Sequence, residues 1–309
     1  MAKLCEGRVC IVTGAGRGIG RQHALMLAEH GAKVVVNDLG ATADGTGSDI
    51  GPAEQVVDEI RHFGGEAVAN GDDVSDWEGS QRLVNQAIEA FGRLDVVVNN
   101  AGILRDRMLV NMTESEWDGV VRVHLKGTFA PARWAGAYWR DLVKSGETVD
   151  ARIINTTSVS GIYGNPGQTN YGAAKAAIAA FTQIAALELG RYGVTVNCVS
   201  PGALTRMTEP LAREPIDDEQ RERRSPRWIA PIVTWLASPR SSGVTGRVFQ
   251  VSGQGLAIAE GWHKGPEVPA VDDPAQLEPV VADLMARARL SADMNGDDAE
   301  GPGRPARKI

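Results

Sequence analysis

The sequence predicts an α/β protein: a single doubly wound, parallel-sheet domain followed by a C-terminal extension. Three observations carry this. Short β-branched runs alternate with helix-length segments, several of the runs are apolar throughout, and turn residues punctuate the helix ends. The runs lie at residues 8–12, 32–37, 67–69, 94–98, 152–155, 194–199 and 247–251. A strand such as Val34, Val35 and Val36 offers no polar face, so both of its faces need cover, as in a parallel sheet flanked by helices. Between the strands, His30 and Gly31 end the first helix, and Gly51 with Pro52 places proline in the first turn of the second. Thr113 and Glu116 are spaced as a capping box, and Ser225 with Pro226 opens a later helix. No repeat and no linker precedes about residue 255, so residues 1–260 read as one domain. In the extension, 261–309, Leu277, Val280, Val281 and Leu284 recur at helical spacing and predict a helix near 274–290. Residues 291–309 are polar and rich in Gly and Pro, and are expected to be disordered.

Bulk composition excludes several classes. A chain of 309 residues with 43% hydrophobic and 23% charged residues can bury a sizeable core. Its net charge of −7 argues against nucleic acid or an anionic membrane as the main partner. No run of 18 apolar residues and no signal-peptide core are seen. Three widely spaced cysteines give neither a disulfide framework nor a metal cluster. Cys10 and Cys198 sit within apolar runs, where buried thiols are expected, and a reducing cytoplasm follows.

A nucleotide site is predicted where the first strand meets the first helix. Gly14, Gly18 and Gly20 form a Gly-x-x-x-Gly-x-Gly turn that allows close backbone approach and presents helix amides, with those of Arg17 and Ile19, to a pyrophosphate. Asp38 ends the second strand, where a carboxylate accepts bonds from ribose hydroxyls and repels a 2′-phosphate. NAD is therefore favoured over NADP, and Arg17 is the counter-argument, as a guanidinium able to accept that phosphate. Asp73, followed by Val74, is either an acceptor for the adenine amine or a helix N-cap for the segment beginning near Asp76. Asn100, Ala101 and Gly102 end the fourth strand, and Pro201, Gly202 and Leu204 follow the sixth, both at the carboxyl edge where open α/β sheets bind ligands.

The catalytic candidates are Tyr171 and Lys175, one helical turn apart, with Ser158 at the end of the fifth strand. An ammonium beside a phenol favours the phenolate, so this tyrosine is expected to be unusually acidic and to act as general acid or base. His124 is either an organiser of a water or a packed helix residue.

Taken together and in this order, the glycine turn, Asn99 to Gly102, Ser158, Tyr171 with Lys175, and Pro201 with Gly202 resemble the short-chain dehydrogenase/reductase family over roughly residues 5–255. The resemblance implies a Rossmann-like domain, a nicotinamide cofactor and a Ser-Tyr-Lys core. Tyr171 would exchange the substrate hydroxyl proton, Ser158 would bond the substrate oxygen, and Lys175 would hold the nicotinamide ribose. The stretches at 34–40, 99–107, 123–127 and 161–165 resemble more particularly the (3R)-hydroxyacyl-CoA dehydrogenase domain of peroxisomal multifunctional enzyme type 2, also described as a 17β-hydroxysteroid dehydrogenase, and its bacterial relatives. Most of that wider family has Asn where His124 stands, and the turn before Thr205 is one residue shorter than usual.

The expected activity is interconversion of a secondary alcohol and a ketone with NAD. The leading substrate is a 3-hydroxyacyl-CoA; a steroid, a 3-oxoacyl thioester or no substrate at all, as in an NAD-sensing scaffold, are the other readings. Arg105 and Arg107 are candidates for CoA phosphates or members of a solvated cluster, while Trp117, Trp134, Trp139 and Met207 are steroid contacts or plain core. Residues 205–224 are expected to form a lid. A homodimer or homotetramer joined through residues 105–143 and 169–191 is implied by the resemblance alone.

Overall fold

The computed structural model describes residues 3–205, 209 and 215–298. The chain forms two compact units, Met1–Ala259 and Glu260–Ile309. The larger is a doubly wound sheet. Its strands are β1 (Val9–Thr13), β2 (Lys33–Asn37), β3 (Glu66–Asn70), β4 (Val96–Asn99), β5 (Ala151–Thr156), β6 (Val194–Gly202), β7 (Val248–Ser252) and β8 (Gly255–Ala259). They lie in the order β3-β2-β1-β4-β5-β6-β7-β8, all parallel except β8, which returns antiparallel to β7. The strand order reverses between β1 and β4, so the carboxyl ends of these two strands open a crevice.

Helices α1 (Gly18–Glu29), α2 (Gly51–His62) and α9 (Ala230–Ala237) cover one face. Their Leu27, Val56, Ile60, Val233 and Leu236 pack with Cys10, Val12, Val34, Val36, Val96 and Val98 of the sheet. Helices α3 (Trp77–Phe91), α5 (Gly127–Lys144) and α7 (Thr169–Leu189) cover the other. There Leu83, Val84, Ala135, Trp139 and Ala185 meet Val9, Ile11, Val35, Val97 and Ile153. Alternate residues of one strand thus enter opposite cores, which is why β1 and β4 are buried at every position.

Local signals place the remaining elements. Thr113 and Glu116 close the predicted capping box on α4 (Glu114–Val121). Asp76 caps α3 by accepting the Gly79 amide at 2.7 Å. Beyond β5 comes the short α6 (Val159–Tyr163), and α8 (Asp218–Arg223) lies within the segment expected to form a lid. Of that segment, 206–208 and 210–214, Met207 included, lie outside the described residues. By length and composition α7 and its continuation, Thr169–Tyr192, would suffice to cross a membrane, although charged and polar residues interrupt its apolar run. The helix instead turns Asn170, Lys175 and Thr182 into the protein interior. In the smaller unit α10 (Leu277–Arg287) follows a 3-10 turn at Pro274–Gln276, and Ala292 bridges Asp298. Residues 299–309 lie outside the described residues.

Candidate active site

The glycine turn is built by contacts that admit no side chain. A Cβ on Gly20 would stand 2.2 Å from the Gly14 carbonyl oxygen, and one on Gly14 would stand 2.8 Å from Ala101 Cα. Gly14 and Gly18 also take φ of 62° and 55°, in the left-handed region that favours glycine. Asn100 fastens the turn from across the crevice, its side-chain amide donating to the carbonyls of Thr13 and Gly14 at 3.0 and 3.1 Å. Thr13 Oγ1 answers by accepting the amides of Asn100 and Ala101 at 3.0 and 3.1 Å. Arg17 stands at the N-cap of α1 without a side-chain cap, and no acid occupies the first turn. The amides of that turn therefore keep their capacity for an anion.

One cleft runs along this edge. It is lined by Gly14, Arg17, Gly18 and Ile19 from the turn, by Asp38 after β2, and by Asp73 and Val74 after β3. Asn100, Ala101 and Gly102 close it from β4. Asp38 accepts the amides of Gly16 and Gly40 at 2.7 Å each, one on each carboxylate oxygen. Asp73 accepts both the amide and the hydroxyl of Ser75 and pairs with Arg122 at 3.1 Å. Desolvation pushes its carboxyl up, but these partners more than reverse that and leave it below the usual range. It does not cap α3; Asp76 does.

Pro201 and Gly202 sit on β6 opposite Val251 and Ser252 of β7. Leu204 is buried and gives its amide to the Arg224 carbonyl at 2.6 Å. Neither these three nor Ser158, Tyr171 and Lys175 line the cleft, whereas Thr205 does, facing Gly18. The sequence signals for Thr13 and Gly16 were present but unread: a hydroxyl at the strand end, and a fourth glycine whose Cβ would lie 2.8 Å from Asp38 Oδ2.

The catalytic candidates are brought together. Ser158 caps α6, its Oγ accepting the Ser160 amide at 3.2 Å, and acts on the Tyr171 phenol to lower its pKa. Lys175, 3% exposed, donates to the Thr156 carbonyl at 2.7 Å, and its Nζ lies 5.6 Å from the centre of the Tyr171 ring. The expected acidity of Tyr171 is corrected. Burial pushes its phenol above the ordinary value, Ser158 only partly opposes that, and Asp106 raises it further. The ammonium stands over the ring, and desolvation lowers its own pKa to about 8.

His124 lies in a π turn, Arg122–Lys126, and is 2% exposed. Its Nε2 meets the Ile103 carbonyl at 2.7 Å and its ring stands edge-on to Tyr171, with centroids 5.1 Å apart. Burial, with the nearby Lys175, lowers its pKa to about 3, so the ring is neutral at physiological pH. Gly102 makes room for it, since a Cβ there would be 2.3 Å from the imidazole.

Other candidates are engaged elsewhere. Arg105 donates to the carbonyls of Asp44 and Ser115, and Arg107 pairs with Glu116 at 2.8 Å. Trp139 is 1% exposed and donates to the Leu94 carbonyl, as a core residue does. Trp134 donates to the Trp77 carbonyl, and Trp117 is 38% exposed.

A short chain dehydrogenase family model matches residues 8–215. The chain is 43% identical over 292 residues to the hydroxyacyl-CoA dehydrogenase ChsB1 of Mycobacterium tuberculosis, covering 91% of this chain and 89% of that protein. It is 43% identical over 303 residues to the peroxisomal multifunctional enzyme type 2 of Drosophila melanogaster, covering 93% of this chain but only 47% of that longer protein. A crystal structure of a short chain dehydrogenase from Mycobacterium avium superposes with a TM-score of 0.84 at 51% identity, covering 94% of this chain and 98% of that one. The chain belongs to the short-chain dehydrogenase family, oxidoreductases that act on CH–OH groups and use a nicotinamide cofactor.

Proposed function

We propose that the chain oxidises a 3-hydroxyacyl-CoA to the 3-oxoacyl-CoA with NAD, in β-oxidation of a fatty acid or sterol side chain. The observation that carries this reading is buried Lys175 held beside the Tyr171 ring, with Ser158 near enough to the phenol to lower its pKa. The residues present fit a dinucleotide: an uncapped helix N-terminus free of acids, and a turn in which a Cβ on Gly14 or Gly20 would collide with backbone. Asp38, Asp73 and Val74 would hold the adenosine half, and the segments ending in Gly102 and in Pro201, Gly202 and Leu204 the nicotinamide half. The Asp38 carboxylate favours NAD, because a 2′-phosphate would meet its charge.

Bound nicotinamide supplies the acceptor for the hydride leaving the carbinol carbon. Tyr171 takes the hydroxyl proton and returns it in the reverse direction. Ser158 donates to the substrate oxygen as charge shifts on it. Lys175 holds the nicotinamide ribose. The name of the hydroxyacyl-CoA dehydrogenase relative supports an acyl-CoA thioester, whereas the steroid reading loses Trp139 to the core.

The chain acts as a homodimer or homotetramer in this reading. Its α7 carries Ile184 and Leu187, 55% and 85% exposed, on an alanine-rich helix. Free, buried Cys5, Cys10 and Cys198 suit the reducing cytoplasm. The test is turnover followed by NADH absorbance with 3-hydroxybutyryl-CoA, longer hydroxyacyl-CoAs and estradiol-type steroids, with NADP run in parallel. Turnover of hydroxyacyl-CoA with NAD is expected. Tight NAD binding with no signal from any alcohol would leave the scaffold reading instead.

A further inference from the structure

The hydrogen bonds behind the catalytic hydroxyls lead to two residues that the proposed reaction leaves without a task, Gln168 and Asp106. Gln168 stands where α7 begins and is 7% exposed. Its Oε1 accepts Ser160 Oγ at 2.7 Å and Asn165 Nδ2 at 2.9 Å, while its Nε2 donates to Asp106 Oδ2 at 2.7 Å. The Ser160 amide donates in turn to Ser158 Oγ at 3.2 Å. The backbone repeats the tie, with the Arg107 amide donating to the Gly167 carbonyl at 2.8 Å and Arg107 bridging Gln168. Fully buried Asn170 adds a third link: it donates to the carbonyls of Arg105 and Glu116 and accepts the Tyr171 amide at 2.7 Å. One side-chain amide thus joins the segment after β4, the start of α6 that carries Ser158, and the start of α7 that carries Tyr171. A side-chain amide suits this place, because its oxygen accepts both bonds while its nitrogen donates the third.

We infer that Gln168 and Asp106 form a positioning clamp for proton transfer at Tyr171, holding the Ser158 and Tyr171 hydroxyls at the separation that a shared substrate oxygen requires. The inference rests on the catalytic reading of those two hydroxyls. Asp106 also acts through its charge. The groups that act on Tyr171 are Lys175 from its own helix, Ser158 from the end of β5, His124 from the π turn and, through its charge alone, Asp106 from the segment after β4. Burial is the main cause that raises the phenol; His124 is neutral, and Asp106, itself raised by burial, adds its charge in the same sense. Oxidation needs the phenolate, so the charge of Asp106 sets part of the pH range over which Tyr171 can take the substrate proton.

The test follows kcat for 3-hydroxybutyryl-CoA oxidation with NAD across pH 6–10. Gln168→Glu sets a second carboxylate against Asp106, and kcat is expected to fall about 10- to 100-fold with KM for NAD little changed. Adding Asp106→Asn to that variant restores a donor–acceptor pair of reversed polarity and is expected to recover most of the loss. Asp106→Asn alone is expected to move the alkaline limb of the kcat profile to lower pH, by about half a pH unit or more. A merely structural role would leave that limb in place. Wild-type kcat in Gln168→Glu, no recovery in the double variant, or an unmoved limb in Asp106→Asn would each overturn the clamp; should Gln168→Glu fail to fold, the other two variants decide. Tyr171→Phe in the same assay tests the catalytic reading by itself, since activity retained there removes that reading whatever the clamp variants show.

Discussion

Burial acts on Tyr171 and Lys175 in the same sense chemically and in opposite senses on the pKa scale. The phenol is pushed up and the ammonium down to about 8, because an enclosed site disfavours whichever form is charged. Alcohol oxidation consumes the phenolate, so its kcat is expected to climb with pH through the alkaline range. Carbonyl reduction uses the phenol and is expected to stay level or fall; parallel profiles in the two directions check this, and identical slopes would contradict the role of Tyr171. Tyr171→Phe keeps the ring packed against His124 but removes the acid–base group, with a loss of about 10²–10⁴-fold in kcat expected and NAD affinity retained by titration. At Asp38 the expectation concerns discrimination. Asp38→Asn removes the charge that opposes a 2′-phosphate, so the ratio of kcat/KM for NAD over NADP should fall at least about tenfold.

At the scale of elements, the turn between β1 and α1 shows how a local motif depends on a distant partner. Its glycines are legible in the sequence, but the crowding that demands Gly20 comes from the Gly14 carbonyl and the Asn100 side chain, 2.2 and 2.5 Å from the position of a Cβ. Gly20→Ala is therefore expected to lose about 1–3 kcal/mol of stability and to weaken NAD binding by tenfold or more, read by thermal melting and fluorescence titration. Gly92 offers the control. It has φ of 81° and nothing within 4 Å of a Cβ, so Gly92→Ala should cost about 1–2 kcal/mol in backbone strain and leave NAD affinity alone. Strand β8 was illegible for a related reason. Residues 255–259 carry no alternation of polar and apolar positions and bury none of their side chains fully. They become a strand because the free edge of β7 offers hydrogen bonds directly across a tight turn, with Ser252 opposite Gly255.

At the scale of the whole molecule, two fully buried histidines set the response to acid. His23 has no partner for either ring nitrogen, and burial lowers its pKa, like that of His124, to about 3. Between pH 6.5 and 3 the unfolded chain binds a proton at each site that the folded chain refuses. Stability contributed by these groups is therefore complete above pH 6.5 and is lost as pH falls, at about 1.4 kcal/mol per pH unit for each histidine. Urea midpoints measured from pH 7 to 4 should decline accordingly, and His23→Leu should flatten the decline; an unchanged slope would contradict this origin. On the outer side of α7, Leu187→Asp is expected to lower the molecular mass seen by sedimentation, if the exposed stripe joins copies of the chain as proposed. The sequence by itself determined the parallel strands β1 to β7, the glycine turn and the placing of Tyr171 and Lys175 one helical turn apart, because strand burial, glycine geometry and helical spacing are local properties readable within a few residues. Tertiary structure alone decided the burial that raises the Tyr171 phenol and the tie between Asp106 and Gln168, 62 residues apart. Desolvation and long-range hydrogen bonds depend on which segments the fold brings together, and a helical neighbour four residues away cannot override them.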